Sequence, residues 1–211
     1  IIPKKLNIGD EIRVIALSRS MCILNEEVIE TAKRRLENIG FKVTFGKNVL
    51  NSIGEDYNCA SIEDRIEDLH EAFEDKNVKA ILTVIGGYNV NQILDYIDYN
   101  LIKENPKILC GFSDITALTN AIYAKTGMIT YSGPHFSSFG MKKGFEYTEK
   151  YFRKMFMQSE NIEIESSDKW SNDSWYKNQD NRTFIENEGM KIINKGEAEG
   201  RIIGGNLCTL N

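Results

Sequence analysis

Histidine is scarce in this 211-residue chain, which has only His70 and His135, and tryptophan is equally rare at two. Cysteine is thinly spread. The four residues, Cys22, Cys59, Cys110 and Cys208, form no CxxC pair, so neither a disulfide frame nor a zinc site is supported, and reduced intracellular thiols are expected. No apolar run approaches the roughly 18 residues that a membrane-spanning helix requires. The N-terminus shows no basic-then-apolar leader pattern, so the chain reads as cytoplasmic with no membrane partner. A basic block is also missing. The 26 Lys and Arg are outnumbered by 31 Asp and Glu, and the net charge of −5 is dispersed, which weighs against a nucleic-acid polymer as partner. There is no GxGxxG, and hence no dinucleotide fingerprint. Nor is there a fixed-period repeat or a low-complexity tract.

What is present is a pattern of short β-branched runs alternating with amphipathic stretches, and 41% of residues are hydrophobic, enough for one good core. The alternation predicts an α/β fold with a mostly parallel sheet flanked by helices. Strands are expected at Glu11 to Leu17, Phe41 to Phe45, Ala80 to Ile85 and Lys107 to Phe112. The last two are continuous apolar runs, as in central strands covered on both faces. Helices are expected at Glu26 to Ile39, with Gly40 as a C-terminal stop, and at Ser61 to Glu74, with Ser61 as N-cap. Two more are expected at Asn91 to Ile97 and Ile115 to Lys125. Open parallel sheets bind ligands at the carboxyl edge of their strands, so function should sit where the third and fourth strands end.

Composition shifts beyond about residue 160. Ser166 to Asn181 is a polar stretch holding both tryptophans and reads as a long loop or crossing. Strand-like character returns at Lys191 to Ile193, and Gly200 to Leu210 reads as a strand, a glycine turn and the first turn of a helix. The expected division is residues 1–160 as an N-terminal α/β domain and 161–211 as the crossing and the start of a second, incomplete domain. The chain opens without methionine and stops inside an apolar segment, as a fragment would.

Gly111-Phe112-Ser113-Asp114 lies between an apolar strand and a helix, the setting of a nucleophile elbow. There Ser113 would expose its hydroxyl, and the Asp114 NH at the positive end of the helix could face a developing oxyanion. Ile115 stands where GxSxG has its second glycine, so spacing alone leaves Ser113 as a plain helix cap as the alternative. Gly86 and Gly87 end the neighbouring strand, and Gly87 is the natural second oxyanion donor; a plain turn or a phosphate-cradling loop is the competing reading. His70 reads as a solvated surface residue. His135 reads as a structural turn residue, with a catalytic base as the alternative. Glu186, Glu188, Glu197 and Glu199 have no spacing that singles one out. No metal-ligand set is apparent.

Four segments in order, PKKLNIGDEIRVIALSRS, IGGYNVNQILDYIDYNLIKENPKILCGFSDITAL, TYSGPHFSSFG and GRIIGGNLCTL, together resemble the LD-carboxypeptidase family across essentially the whole chain. The SRS near the start and the polar two-tryptophan stretch resemble the microcin C self-immunity branch more than the murein-recycling carboxypeptidases. The resemblance implies a cofactor-free serine hydrolase with a Ser-Glu-His triad whose nucleophile is Ser113. The family's glutamate and histidine follow the GGNL motif, here Gly204 to Leu207, so their counterparts are expected beyond Asn211. The implied substrate is a peptidyl or aminoacyl nucleotide, with a murein tetrapeptide as the alternative, bound in part by Gly86 and by Trp170 and Trp175 stacking on a base. A homodimer is implied as well. From another class, a non-catalytic small-molecule binding module using its glycine turns remains as the rival.

Overall fold

The computed structural model describes residues 1–53 and 58–210. Strands β1 (Glu11–Ile15), β2 (Lys42–Phe45), β3 (Val78–Thr83), β4 (Ile108–Gly111) and β5 (Tyr131–Ser132) form one parallel sheet in the order β2-β1-β3-β4-β5. The chain moves outward from β1 to β2, then returns past β1 to β3. Connections therefore diverge in opposite directions between β1 and β3, which opens a crevice at the carboxyl ends of those strands.

Side chains alternate across the sheet with the period of two that a strand imposes. Along β3 and just past it, Ala80, Leu82 and Val84 join one core and Ile81 the other, while Val78 joins the second core because the register with β1 shifts between it and Ala80. The first core is closed by α1 (Glu26–Ile39) through Ala32, Leu36 and Ile39, and by α5 (Glu146–Met157) through Phe152 and Phe156. The second is closed by α2 (Ile62–Glu74), through Leu69 and Phe73, by α3 (Tyr99–Glu104), through Ile102, and by α4 (Thr116–Thr126), through Leu118 and Ile122.

Helix boundaries follow local chemistry. Asn25 Oδ1 accepts from the Val28 NH at 2.9 Å, Ser61 Oγ accepts from the Asp64 NH at 3.0 Å, and Gly40 ends α1 at φ 112°. The residues expected as a helix from Asn91 form instead a 3₁₀ helix, Val90–Tyr96. A short 3₁₀ turn, Ser113–Ile115, precedes α4. Helices α3 and α5 lay outside the sequence expectations.

The C-terminal segment corrects two of them. Lys191 to Ile193 and Arg201 to Ile203 form no strand, because no partner strand lies beside them among the described residues, and Ile193 and Ile202 are 92% and 98% exposed. The polar stretch is not all loop. Its β6 (Lys169–Trp170) pairs antiparallel with β7 (Ile185–Glu186). The chain closes on a single turn, α6 (Leu207–Leu210), as expected there. Among the described residues no helix is long and apolar enough to cross a membrane, and the four cysteines are free thiols.

Candidate active site

Ser113 stands at the turn between β4 and α4 with φ +60°, one of two non-glycine residues with positive φ among those described. For an L-residue this left-handed conformation costs roughly 1–2 kcal/mol. The turn is tight because Gly111 ends β4 flush against β3, where a Cβ would lie 2.3 Å from Thr83 Oγ1. Among the described residues no side chain caps the 3₁₀ turn or α4, so the Ser113 hydroxyl is not a helix cap.

Three strand ends are tied together here by one carboxylate. Asp114 Oδ2 accepts from Ser18 Oγ at 2.6 Å, beyond β1, and from the backbone NH groups of Asn89 and Val90 at 2.9 Å each, beyond β3. Asp114 is buried, and each of these charge-assisted bonds is of the stronger kind. Beneath them lies the fully buried Arg65. Its guanidinium donates to the carbonyls of Leu17 and Asn89 at 3.3 and 3.1 Å and to Gln92 Oε1 at 2.9 Å, gripping the same two loops from the other side. Burial pulls the Arg65 pKa down, against an upward pull that includes Asp114.

Gly86 is the residue in closest register with the serine. A Cβ at position 86 would lie 3.0 Å from Ser113 Cβ, 3.2 Å from Ser113 Oγ and 3.4 Å from His135 Nε2. The Cβ direction of Gly87 points elsewhere, into Ser18 Oγ at 2.3 Å and Arg19 Cγ at 3.0 Å. Arg19 Nε in turn donates to the Gly86 carbonyl at 3.2 Å. Both glycines are therefore required by close approach, one to the serine and one to the β1 loop.

His135 is brought to this centre and His70 is not. His135 is 2% exposed, its ring packs on Phe112 at 4.2 Å between centroids, and Nδ1 lies 2.8 Å from Thr83 Oγ1. Burial pushes its pKa down to about 3, against a small upward pull from the Phe112 carbonyl, so the ring is neutral at working pH and a weak base. His70, expected to be solvated, is half-buried instead. Its Nε2 accepts from the Asp98 NH at 2.9 Å, linking α2 to the start of α3, and burial lowers its pKa.

The tryptophans lie apart from the serine. Trp170 and Trp175 line a cavity of about 850 Å³ between the β6–β7 hairpin and α5, with Tyr147, Phe184, Lys150 and Arg182, and none of Ser113, Gly86 or Gly87 lines it. Glu186 and Glu188 form exposed ion pairs with Lys169 and Lys191. Among the described residues no cluster of three or more His, Cys, Asp or Glu could hold a metal ion. Sequence reasoning passed over the side chains of Ser18, Thr83, Asn89 and Asp114 and the role of Arg65. The available signals were SRS directly after β1 and an asparagine directly after Gly-Gly-Tyr.

The arrangement of β1, β3 and β4 around Ser113 matches a known family. The model of the LD-carboxypeptidase N-terminal domain fits residues 12–133. This chain belongs to the LD-carboxypeptidase family. Among its relatives is YocD of Bacillus subtilis, assigned by name provisionally to the carboxypeptidases, 54% identical across 98% of this chain and 63% of its own length. Among solved structures, an MccF-like protein of Bacillus anthracis superposes with a TM-score of 0.97 at 56% identity, over 100% of this chain and 63% of that one. The microcin C7 self-immunity protein MccF, in complex with aspartyl sulfamoyl adenosine, superposes with a TM-score of 0.90 at 32% identity, over 100% and 64%. This LD-carboxypeptidase-family chain spans about three fifths of the length of the curated relatives it matches.

Proposed function

We propose that this chain carries the nucleophile half of a serine amide hydrolase, with Ser113 attacking an amide carbonyl. The observation that carries the reading is the strained serine at φ +60°, set at the sheet's carboxyl edge before an uncapped helical segment. Strain of this kind persists only where the surroundings enforce it, and here the Asp114 network does so. In the proposed reaction the Ser113 hydroxyl gives its proton to a histidine supplied from beyond Asn211. Its oxygen bonds to the carbonyl carbon, and the Asp114 and Gly87 amides hold the resulting oxyanion. Collapse expels the amine with a proton, and water then releases the acyl group and restores the serine.

The substrate proposed is a peptidyl or aminoacyl nucleotide of the microcin C type, cleaved at the amide that joins the acyl and nucleotide parts, which would confer self-immunity. Its support is the likeness to MccF bound to aspartyl sulfamoyl adenosine, together with the Trp170 and Trp175 cavity, where indole faces and cations suit a base and an anionic group. Gly86 would lie under the scissile carbonyl. The second reading is a murein tetrapeptide carboxypeptidase, favoured by the family's own name. We further propose that residues 161–211 begin a second domain that carries the catalytic glutamate and histidine, and that the protein works as a cytoplasmic homodimer.

The test is turnover by the full-length protein of an aminoacyl sulfamoyl adenosine and of a murein tetrapeptide, with Ser113→Ala beside it. Cleavage of the nucleotide alone, abolished in the variant, supports the immunity reading. Cleavage of the tetrapeptide alone moves the function to the cell wall. No turnover of either, with binding retained, favours a binding module.

A further inference from the structure

Two buried side-chain atoms lack a hydrogen-bond partner among the described residues, Asn89 Nδ2 and His135 Nε2, and both belong to residues around Ser113. Leaving such a group unsatisfied normally costs free energy, so a fold retains one where something else meets it. His135 is the more telling of the two. Every other feature of its ring is accounted for: Nδ1 is held by Thr83, one face lies on Phe112, and the residue is 2% exposed. In either tautomer Nε2 keeps one polar function, a lone pair or an N–H, for which the described residues supply no hydrogen-bond partner.

The position of that nitrogen is informative. The point at which a Gly86 Cβ would sit touches both Ser113 Oγ, at 3.2 Å, and His135 Nε2, at 3.4 Å, so the two atoms border the same small space. A glycine keeps that space open. Rotation about χ1 carries the serine oxygen among three staggered positions around it.

We infer that His135 is a positioning residue for Ser113, its Nε2 making the polar contact that orients the serine hydroxyl in the reactive complex. This rests on the reading of Ser113 as nucleophile. The role differs from that of a triad base, since the ring neither takes nor gives up a proton in the cycle. It differs also from packing alone, which would place the importance of His135 in its Thr83 bond and its stack on Phe112.

The pair His135→Gln and His135→Asn separates these roles in the full-length protein. A glutamine amide reaches the place of Nε2, whereas an asparagine amide reaches the place of Nδ1, so Gln retains the proposed contact and Asn retains the Thr83 bond. The expected result is a kcat within about threefold of wild type for Gln and lowered about 100-fold for Asn at unchanged KM, a loss of the size seen when one preorganised polar contact is removed. Thermal melts of both variants control for folding. A wild-type kcat in Asn, or equal losses in the two variants that follow their melting temperatures, would overturn the inference. Ser113→Ala in the same assay keeps the two questions apart: full activity there removes the nucleophile reading, whereas an inactive Ser113→Ala with an active Asn variant removes only the role of His135.

Discussion

Asp114 Oδ2 accepts the Ser18 hydroxyl at 2.6 Å, and through this bond the end of β1 is fastened to the turn that holds Ser113. The same oxygen carries the Asn89 and Val90 amides, so one buried carboxylate sets the mutual placement of three loops that are far apart in sequence. Asp114→Ala strands two buried backbone donors, whereas the Ser18 hydroxyl can turn to Asn89 Oδ1 at 3.0 Å. The expected loss is about 3 kcal/mol, since each unsatisfied buried group costs roughly 1–3 kcal/mol and part is recovered by relaxation. Calorimetry should show this as a fall in melting temperature of roughly 10 °C for a chain of this size.

Strain at Ser113 makes a prediction of opposite sign. Ser113→Gly relieves the left-handed conformation and should raise stability by about 1 kcal/mol relative to Ser113→Ala, although glycine's greater freedom when unfolded offsets part of the gain. Denaturant midpoints of the two variants give the comparison. Equal midpoints would mean that the turn stores no more strain than glycine's greater unfolded-state freedom offsets.

Gly86 tests the closeness of β3 to the serine. Gly86→Ala places a methyl group 3.0 Å from Ser113 Cβ, tighter than ordinary contact, so the serine must shift. Turnover by the full-length protein should fall at least about tenfold, because small displacements of a reacting group are costly. Gly127→Ala, where a Cβ meets nothing within 4 Å, serves as a control for backbone strain at a helix end.

Two buried groups make the fold acid-sensitive in overlapping windows. Burial disfavours the Glu11 carboxylate, but bonds from Lys42 at 2.6 Å, Thr44 at 2.6 Å and Arg13 at 3.1 Å outweigh it and lower its pKa to about 2. Its stabilisation is therefore complete above the ordinary value of about 4.5 and is lost as pH falls toward 2. His135, held neutral down to about pH 3, favours unfolding at pH values below its ordinary 6.5, where the unfolded chain takes up a proton that the fold refuses. Stability measured against pH should decline from about 6.5 downward and steepen below about 4.5. Glu11→Gln should remove the lower step at a cost of about 2 kcal/mol near neutrality.

The sequence made the sheet readable because its central strands are continuous apolar runs and α1 is amphipathic between Asn25 and Gly40. Helix α5 carried the same signal in Phe152 and Phe156, one helical turn apart, and was passed over beside the more familiar pattern of strand and helix. The strand expected around Ile202 and Ile203 failed for a different reason: a β-branched run becomes a strand only when a partner lies beside it, and none does among the described residues. Ser113 was legible from its place between an apolar strand and a helix. The Asp114 carboxylate was not, since its partners, Ser18, Asn89 and Val90, come together only once the β1 and β3 loops converge. His135 was legible as a turn residue with a catalytic base as the alternative, but its bond to Thr83 and its stack on Phe112 were not, because they depend on the chain after β5 crossing back over the sheet edge.

The most direct test of the central claim is covalent trapping. The full-length protein is incubated with a fluorophosphonate, and the modified peptide is located by mass spectrometry while substrate turnover is followed in parallel. The account predicts one adduct, on Ser113, forming at the rate at which turnover is lost and absent from Ser113→Ala. An adduct on another residue that tracks the loss, or undiminished turnover by Ser113→Ala, would contradict it.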